Sequence, residues 1–575
     1  MTESKRLYDL IIIGGGIAGL TTGVRATELG LRPLVLEQGE GVDYPNNSRM
    51  SGGILHIGFH DPYRSPEELE QVITRLTDGE AKPELAKALA HTGSRLITWL
   101  QGKGGKFMRF NPQEGYRWCM APPRALKAGI DWKERGPDLI LRRLALELVE
   151  RGGVLQLGAR VTRILMDQGR FVGVEGTCKG IPEIWDAPYG VIADGGFQAN
   201  RQLFEKHIGQ HFDSVFQRGG RTGRGDGLSM AMDVGGVITP GNRFYGHVLC
   251  SDAKHNDAVW PYPEVDALAT AGMVIDATGN RVVDEGISGV HLANELAARA
   301  KTEKLFAVFD QTIWDGPGVS ARIPANPLLE RAGGTVLRAT NATELAEQMG
   351  VPASAFIETL NHYNDHLKSG RLNTLPIQRS ELVKPMPIVD APLMAIPICP
   401  GITYTMVGID IDQHAQVLDA MSQPIPGLFA AGATTGGIEG GKNSVYIGGL
   451  IKSGSFGLIA AERIATLDGK QFTIESANQN VSAESEGLTK ATSVAVSNAA
   501  HGLERFPILR SMIRYGKRIA IALSILTFVI SYLFLSGPLG WMASVIALAL
   551  ALVILVIVLG VVEMVTLITD FLIPE

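Results

Sequence analysis

Three glycines near the start of the chain have the spacing that a nucleotide pyrophosphate requires. Gly14, Gly16 and Gly19 follow a short apolar run and open a helical pattern. In such a turn the first glycine allows a sharp bend, the second lets a phosphate approach the backbone, and the third lets helix and strand pack closely. Glu37 lies 18 residues after Gly19, where a carboxylate can accept hydrogen bonds from ribose hydroxyls. These residues predict a dinucleotide site at a helix N-terminus.

The elements that must position this motif form one βαβ unit. Residues 7–40 read as strand, glycine turn, helix and strand, within the ~30 residues that such a unit needs. A second buried strand enters a glycine turn at 190–197, and short strands return between 382 and 465. We therefore predict an α/β, Rossmann-type domain that begins at residue 7 and is completed by the distant 427–456 region. An α+β capping domain is inserted between its two parts.

Charge and cysteine content exclude several classes of protein. The 53 Lys and Arg residues are outnumbered by 59 Asp and Glu residues, and no region is strongly basic. A nucleic acid partner is therefore not expected. The four cysteines form no CxxC or CxxCH motif, which argues against a disulfide framework, an iron–sulfur cluster and attached haem. The histidines lack metal-ligand spacing, so no metal site is predicted.

Two long apolar runs near the end of the chain are typical of a membrane anchor. Residues 519–536 and 541–562 carry no charge, and each is long enough to cross about 30 Å of hydrocarbon. Basic residues precede them, which by the positive-inside rule assigns that flank to the cytoplasm. With no signal-peptide pattern at the N-terminus, this predicts a C-terminal transmembrane helical hairpin in the cytoplasmic membrane. The lipid bilayer is then a partner, and the catalytic domain lies on the cytoplasmic side.

The predicted organisation has six segments. They are a first part of the Rossmann-type domain at 1–240, a capping or substrate domain at 241–375, a second part of the Rossmann-type domain at 376–466, a polar linker with a basic juxtamembrane segment at 467–518, two transmembrane helices at 519–562 and a tail at 563–575.

Further segments, in order along the chain, narrow the choice of cofactor. They are residues 47–54, the strand end 193–197 (Ala-Asp-Gly-Gly-Phe), the glycine-rich stretch 223–227, and residues 425–432 before the glycine cluster 436–441. In this order they resemble the fumarate reductase/succinate dehydrogenase flavoprotein superfamily over residues 7–465. The resemblance implies a two-dinucleotide-binding-domain flavoprotein and FAD as the cofactor.

The resemblance also implies which residues hold the FAD. The residues expected to bind it are Gly14, Gly16, Ile17, Ala18, Gly19, Glu37, Gln38, Ser48, Arg49, Ser51, Gly52, Gly53, Val161, Asp194, Gly195, Asp226, Gly432, Gly449 and Leu450. In the succinate dehydrogenase branch a histidine shortly before the Gly-Gly pair carries the flavin covalently. Asn46 stands at that position here, so FAD is expected to bind non-covalently.

The chain departs from fumarate reductases where those enzymes bind and protonate a dicarboxylate. Their catalytic arginine follows a Phe-Asp strand end, whereas Phe309-Asp310 is followed here by Gln-Thr-Ile and Trp314. Their His-His-Thr-Met-Gly-Gly stretch reads Thr-Tyr-Thr-Met-Val-Gly at 403–408, and their later Asn-Arg pair falls at 442–444. Simple fumarate reduction is therefore not expected. The segments 51–54 and 446–449 are closer to the branch with 3-ketosteroid dehydrogenases and tricarballylate dehydrogenase.

That branch implies a role for tyrosines. In ketosteroid dehydrogenases a Tyr-x-Gly-rich segment binds the ketone through a phenol and a backbone N–H, and other tyrosines accept the α-proton. Polarising a ketone makes the adjacent C–H acidic, so a tuned phenol can act as the acid or base. The catalytic candidates are therefore Tyr446, Tyr404, His247 and Tyr116, with Tyr245 as a further tyrosine. Glu285 matches a proton-relaying carboxylate of fumarate reductases or is structural.

Three functions stay open. The first is FAD-dependent dehydrogenation, or the reverse reduction, of a C–C bond next to a carbonyl in a hydrophobic, ketosteroid-like or enone substrate. The second is a tricarballylate- or fumarate-type carboxylate dehydrogenase or reductase that uses cations near the motifs; these are Arg49, Arg124, Arg224 and Lys442. The third is a non-catalytic flavin-binding subunit. Electrons would leave to a quinone, to oxygen or to a separate electron-transfer protein.

Overall fold

The computed structural model describes residues 7–209, 211–299 and 304–473, together with scattered positions between 525 and 555. The chain divides into two units, Met1–Ile474 and Glu475–Glu575. All of the sheets described below belong to the first unit.

Eighteen strands and fifteen α-helices fall within these described residues. The strands are β1 Leu10–Ile13, β2 Pro33–Glu37, β3 Ile54–Leu55, β4 Phe107–Met108, β5 Trp118–Met120, β6 Val154–Leu157, β7 Ala159–Asp167, β8 Arg170–Cys178, β9 Ile181–Asp186, β10 Tyr189–Ile192, β11 Phe216–Gln217, β12 Phe244–Cys250, β13 Met273–Ile275, β14 Leu305–Asp310, β15 Leu337–Ala339, β16 Leu393–Thr405, β17 Gln416–Leu418 and β18 Pro424–Ala430. The helices are α1 Ile17–Glu28, α2 Asn47–Met50, α3 Pro66–Leu76, α4 Pro83–Gly102, α5 Gly136–Glu150, α6 Arg201–His207, α7 Asp226–Asp233, α8 Asp266–Ala271, α9 Gly289–Arg299, α10 Gln311–Asp315, α11 Pro317–Ser320, α12 Ala325–Arg331, α13 Ala342–Met349, α14 Ala353–Lys368 and α15 Gly449–Leu467.

The first sheet is the predicted Rossmann-type sheet, with strand order β17-β18-β10-β1-β2-β6. Strand β1 is flanked in parallel by β2 and β10, and β18 adds in parallel to β10. All four residues of β1 are buried, as in a parallel sheet covered on both faces. The distant part of the chain therefore does complete this domain. Its helix α15 packs on α1, where the Thr22 hydroxyl donates to the carbonyl oxygen of Gly457 at 3.1 Å.

The second sheet is built around the long strand β16. It has the order β11-β16-β14-β13, and β12 and β15 also pair with β16. Tyr245 and His247 of β12 lie on the same side of the sheet, where the Tyr245 hydroxyl is 3.0 Å from His247 Nε2. Tyr245 is opposite Tyr404 of β16, and an irregularity in the register follows between Tyr245 and Gly246. This sheet therefore brings together aromatic residues that are far apart in the sequence. Two three-stranded sheets, β3-β5-β4 and β7-β8-β9, complete the described architecture.

The predicted membrane location is wrong according to the structure. Among the described residues, no helix is long and apolar enough to cross a bilayer. In the second unit the structure describes positions 525–527, 529, 545–546 and 548–555. Most of the predicted hairpin at 519–562 lies outside the described residues. The segment boundaries predicted within the first unit remain predictions.

A buried ion pair holds the turn that leads into α15. The ammonium of Lys452 lies 2.6 Å from Oε2 of Glu439, and both side chains are almost fully buried. Oε1 of Glu439 also accepts hydrogen bonds from the backbone N–H groups of Ile447 and Gly448, each at 3.1 Å. Burial favours a raised pKa, but the charge of Lys452 outweighs it, so the pKa of Glu439 lies below its usual value. The pair therefore stays charged and fixes the backbone around residues 447–448.

Removing one partner of this pair is expected to be costly. Lys452→Met leaves the carboxylate of Glu439 buried without its counter-ion, and such a loss typically costs about 3–5 kcal/mol of unfolding free energy. Lys127→Met is the matched control, since that lysine is exposed and lies 3.5 Å from Asp131. The control should change the free energy by less than about 1 kcal/mol. Urea unfolding of both variants measures the difference, and equal effects would contradict the role given to this pair.

Candidate active site

The glycine motif forms the turn between β1 and α1. Gly14 has φ +107°, and a Cβ added there would lie 2.6 Å from the carbonyl oxygen of Ala193. A Cβ on Gly19 would lie 1.9 Å from the carbonyl oxygen of Gly14. Gly16 is the N-cap residue of α1 and, as a glycine, has no side chain that could cap the helix. The turn therefore packs tightly against the protein on one side and presents a helix N-terminus on the other.

A cleft of about 920 Å³ lies at this helix N-terminus. Twelve of the residues predicted to bind the cofactor line it: Gly14, Gly16, Ile17, Ala18, Glu37, Gln38, Ser48, Val161, Asp194, Gly195, Asp226 and Gly432. Four more, Ser51, Gly52, Gly53 and Leu450, line a second cavity. The remaining three, Gly19, Arg49 and Gly449, line neither. The buried guanidinium of Arg49 lies instead 3.3 Å from Asp138 and over the ring of Tyr44.

Unpartnered polar atoms around the first cleft suit a cofactor rich in hydroxyl and phosphate groups. Asn46 Nδ2, Asp194 Oδ1 and Gln198 Oε1 are buried and have no hydrogen-bond partner in the protein, and all three residues line the cleft. One donor and two acceptors are thus left for a bound molecule, because burying them unpaired is costly. Glu37 accepts from the N–H groups of Gly15 and Gly39 at 2.8 Å, which positions its carboxylate at the predicted adenosine end.

A second cavity of about 990 Å³ adjoins the first, since Asn47 lines both. It contains three of the predicted catalytic residues, Tyr116, His247 and Tyr446, together with Tyr245. Sequence reasoning missed several other lining residues: His56, Phe59, Arg218, Tyr262, Glu264 and Arg322. The cavity therefore combines aromatic walls with a small set of charged groups.

Tyr446 presents its phenol beside the N-terminus of α15. The N–H of Gly449, the first residue of that helix, donates to the Tyr446 hydroxyl oxygen at 3.0 Å. The Tyr446 ring stacks on that of Tyr245 with centroids 3.9 Å apart. Burial raises the pKa of Tyr446 above that of a free phenol. The hydroxyl hydrogen is not used in the bond to Gly449, so it can be donated to an acceptor in the cavity.

Tyr404 lies behind this layer of tyrosines and does not line the cavity. Its hydroxyl donates to the carboxylate of Glu439, with oxygen–oxygen distances of 2.9 and 3.1 Å. Its ring centroid is 5.4 Å from that of Tyr245. Burial raises the pKa of Tyr404 well above its usual value, and the charge of Glu439 adds to this. Tyr404 therefore supports the tyrosine layer with a phenol that remains protonated.

His247 stands between two acidic side chains and a phenol. Its Nδ1 contacts Oδ2 of Asp266, and its Nε2 lies 3.0 Å from the Tyr245 hydroxyl. Glu264 Oε1 is 3.7 Å from the same Nε2 and also pairs with Arg218. Burial tends to raise the pKa of Glu264, but a protonated His247 and the charge of Arg218 outweigh it and the pKa lies below its usual value.

Arg322 reaches the cavity from the connection between α11 and α12. Its Nε and Nη2 are buried and have no hydrogen-bond partner, and its Nη1 would lie 2.1 Å from a Cβ added to Gly52. The resemblance to fumarate reductases predicts an arginine shortly after the strand end Phe309-Asp310, where this chain has Trp314. Arg322 is in fact the first arginine after that strand end, and this was the available signal. Because Arg322 lies well beyond that strand end in the sequence, the sequence alone does not indicate that its side chain reaches the cavity.

The other cations considered from the sequence lie elsewhere. Arg124 donates to the carbonyl oxygen of Met50 at 2.6 Å and stacks over Tyr262, while Arg224 lines the first cleft. Lys442 lines neither cavity. Glu285 is fully buried, is paired with Arg281 and accepts from the N–H of Val274 at 2.9 Å, an arrangement that holds β13. Within the described part of the chain, no cluster of acidic, histidine or cysteine side chains could hold a metal ion.

Asp194 should make the stability of the cofactor-free protein depend on pH. Burial raises its pKa from 3.8 to about 7, so the folded state binds the proton more tightly than the unfolded state. Stability from this group is complete below pH 3.8 and is lost as the pH rises through about 7. Since one pKa unit corresponds to about 1.4 kcal/mol, a loss of a few kcal/mol is expected over this window.

Asp194→Asn tests this, because the amide oxygen can still accept from the N–H of Gly227, a bond of 2.7 Å in the parent protein. The cofactor-free variant should show a smaller fall in thermal midpoint between pH 4 and 7 than the parent protein. Parallel pH profiles for the two proteins would show that Asp194 does not titrate in this range.

Comparison with known proteins agrees with this geometry. Residues 9–445 match the family described as FAD binding domain. A fumarate reductase (cytochrome) from Shewanella frigidimarina is 25% identical over 482 residues, which cover 80% of this chain and 78% of that protein. A 3-oxosteroid 1-dehydrogenase from Mycolicibacterium smegmatis is 23% identical over 574 residues, which cover 80% of this chain and 97% of that protein.

A solved structure shows the same fold. The 3-ketosteroid-Δ4-(5α)-dehydrogenase from Rhodococcus jostii RHA1, in complex with 4-androstene-3,17-dione, has a TM-score of 0.61 and 21% identity, and the match covers 81% of this chain and 98% of that one. The predicted superfamily, FAD as the cofactor and the class of enzyme are confirmed. The chain therefore belongs to the FAD binding domain family, within the fumarate reductase/succinate dehydrogenase flavoprotein superfamily, and is an FAD-dependent oxidoreductase acting on CH–CH bonds.

Proposed function

We propose that this enzyme dehydrogenates, or in reverse reduces, a C–C bond next to a carbonyl group. The observation that carries the proposal is the Tyr446 hydroxyl at the N-terminus of α15, a helix of 19 residues. A carbonyl oxygen placed there would receive the phenol hydrogen and the partial positive charge of the helix N-terminus. Both interactions strengthen as negative charge develops on that oxygen, which is the condition for lowering a barrier.

The residues around Tyr446 support proton removal next to such a carbonyl. Bound FAD supplies the acceptor for the hydride that leaves the β-carbon. Withdrawal of electrons by Tyr446 acidifies the α-hydrogen, and a neighbouring phenol can then take the proton. Tyr245 stacks directly on Tyr446 and lines the cavity, so we assign the α-proton to Tyr245. Tyr116 lines the same cavity, and its ring centroid is 6.4 Å from that of Phe59. We propose that Tyr116 contacts the substrate.

We also propose that FAD is held without a covalent bond. The residue at the position of the flavinylated histidine is Asn46, whose Oδ1 caps α2 by accepting from the N–H of Arg49 at 2.8 Å. A carboxamide cannot replace imidazole as a nucleophile toward the flavin. The residues proposed to bind FAD are those lining the first cleft and the wall between the two cavities, from Gly14 at the pyrophosphate end to Gly52 and Leu450 at the second cavity.

A matched set of compounds tests the reaction. We expect 4-androstene-3,17-dione or 4-oxocyclohexanecarboxylate to bleach the flavin anaerobically in the parent enzyme. Tyr446→Phe should slow bleaching by about 100-fold or more, as expected for loss of one oxyanion donor, with flavin content unchanged. Tyr363→Phe is the control, because that buried phenol donates to the carbonyl oxygen of Met386 on a different part of the fold. Equal rates in the parent and Tyr446→Phe would refute the carbonyl-binding role.

A second candidate, a carboxylate dehydrogenase or reductase, is favoured by Arg322. Two of its buried nitrogen atoms lack partners at the cavity wall, and a guanidinium in that state suits a carboxylate. Arg218 is less available because it already pairs with Glu264 and donates to the Thr403 hydroxyl at 3.0 Å. A substrate with both a ketone and an acid group would use Tyr446 and Arg322 together.

Arg322→Gln separates the two candidates. Loss of a charge-assisted hydrogen bond of about 1.5–3 kcal/mol should raise the KM for 4-oxocyclohexanecarboxylate or tricarballylate by about 10-fold or more. The KM for 4-androstene-3,17-dione should not change, since it has no acid group. Arg331→Gln serves as the control at an exposed position. If only tricarballylate bleaches the flavin, the carboxylate function replaces the ketone function, and if no compound does, a flavin-binding subunit without turnover becomes the favoured function.

The electron acceptor is a separate molecule in this proposal. We expect a quinone or a separate electron-transfer protein to reoxidise the reduced flavin. Anaerobic reoxidation by a water-soluble quinone, followed at the flavin absorbance, is the direct assay of the first of these.

A further inference from the structure

Tyr245, His247 and Asp266 form a hydrogen-bonded row that ends at the substrate cavity. The Tyr245 hydroxyl lies 3.0 Å from His247 Nε2, and His247 Nδ1 contacts Asp266 Oδ2. Tyr245 and His247 project from one face of β12, and Asp266 is the first residue of α8. The other carboxylate oxygen of Asp266 accepts from the N–H of Val248 at 2.7 Å. The carboxylate is therefore anchored to the strand that carries the histidine.

The row has a defined direction for hydrogen bonding. A carboxylate accepts hydrogen bonds, so the Asp266 contact keeps the imidazole hydrogen on Nδ1. In the neutral imidazole Nε2 is then an acceptor, and the Tyr245 hydroxyl donates to it. The phenol is thus aligned to lose its proton to the histidine.

We propose that His247 and Asp266 form a proton relay that accepts the proton of the Tyr245 phenol during C–H cleavage. The proposal rests on the proposed function, in which Tyr245 takes the α-proton. As the α C–H bond breaks, its proton passes to the Tyr245 oxygen, and the proton already on that oxygen passes to His247 Nε2. The electron pair of the C–H bond forms the new double bond, and bound FAD would supply the acceptor for the hydride that leaves the β-carbon. The imidazolium that results is stabilised by Asp266.

The environment of Tyr245 makes such a partner necessary. Burial raises the pKa of Tyr245 well above its usual value, so a standing phenolate is disfavoured and its proton must move as the new one arrives. Glu264 lies 3.7 Å from His247 Nε2 and adds a second negative charge beside the imidazolium. Arg218 pairs with Glu264 and limits the excess of negative charge.

Tyr404 offers an internal comparison. It is opposite Tyr245 in the sheet and is buried, but its hydroxyl donates to Glu439. Glu439 is held as a carboxylate by Lys452 and by two backbone N–H groups, which makes it a poor proton acceptor. Of these two phenols, only that of Tyr245 both lines the cavity and has a histidine nitrogen as its partner.

The first test observes the histidine without any turnover. In the FAD-loaded enzyme, ¹⁵N NMR of the histidine side chains should show His247 protonated on Nδ1, with its signal assigned by its loss in His247→Gln. Asp266→Asn keeps an oxygen for the Val248 N–H but offers an amide N–H to the imidazole. It should therefore shift the hydrogen to Nε2. Glu70→Gln, beside exposed His91 at 3.5 Å, is the matched control and should leave the His247 signal unchanged.

The second test follows the α-proton. Deuterium uptake from D₂O next to the ketone of 4-oxocyclohexanecarboxylate should fall by about 100-fold or more in Asp266→Asn, which is the usual scale of acid–base assistance. Flavin content and thermal midpoint should stay at parent values. The kinetic isotope effect for the α-deuterated compound should rise in this variant, because proton removal becomes more rate-limiting.

The outcomes separate the relay from the reaction. An Nε2-protonated His247 in the parent enzyme, or a tautomer unaffected by Asp266→Asn, overturns the relay even if the ketone is oxidised. The expected tautomers without flavin bleaching would support the geometry and refute the proposed reaction. Unchanged deuterium uptake in Asp266→Asn, with the tautomer reversed, would show that the row is structural and would also overturn the relay.

Discussion

The geometry of the second cavity depends on the buried carboxylate of Glu439. It is buried, paired with Lys452, and accepts from the Tyr404 hydroxyl and from the N–H groups of Ile447 and Gly448. These bonds fix the turn before α15, and that turn presents Tyr446 and the helix N-terminus to the cavity. A buried charge of this kind is tolerated only when its hydrogen bonds are satisfied. The requirement thus couples the stability of the fold to the geometry of the reacting site.

The two phenols that face each other across β12 and β16 show how environment divides roles. Tyr404 donates to a carboxylate that is already neutralised by an ammonium group, so its proton has no destination. Tyr245 donates to a histidine oriented by Asp266. Burial disfavours ionisation of both phenols, and the difference in their partners decides which one can exchange a proton. Residue type alone would not have separated them.

The first cleft follows the opposite principle, since several of its buried polar atoms have no hydrogen-bond partner in the protein. Asp194 and Gln198 each keep one buried acceptor without a partner, and Asn46 keeps a donor. Such groups destabilise the protein alone and are compensated when a ligand binds. The glycine turn at Gly14 and Gly19 is instead packed to backbone contact. The glycine turn is therefore fixed by packing, whereas the polar side chains around the cleft need a bound ligand to complete their hydrogen bonds.

The sequence by itself determined the Rossmann-type unit, because glycine spacing and βαβ periodicity are local and physically restrictive. The order of its motifs, through the resemblance to a known superfamily, also indicated FAD as the cofactor and the enzyme class. The sequence also indicated twelve of the residues that line the first cleft, and three of its four catalytic candidates line the second cavity. It could not exclude Arg49, which is a good phosphate ligand by type but is paired with Asp138 in the fold. The apolar runs at 519–562 predicted a membrane location that the described structure contradicts. Only the tertiary structure brought Arg322 to Gly52 and Asp266 to His247. Those contacts join segments with no shared periodicity, so only the packing of the chain decides them.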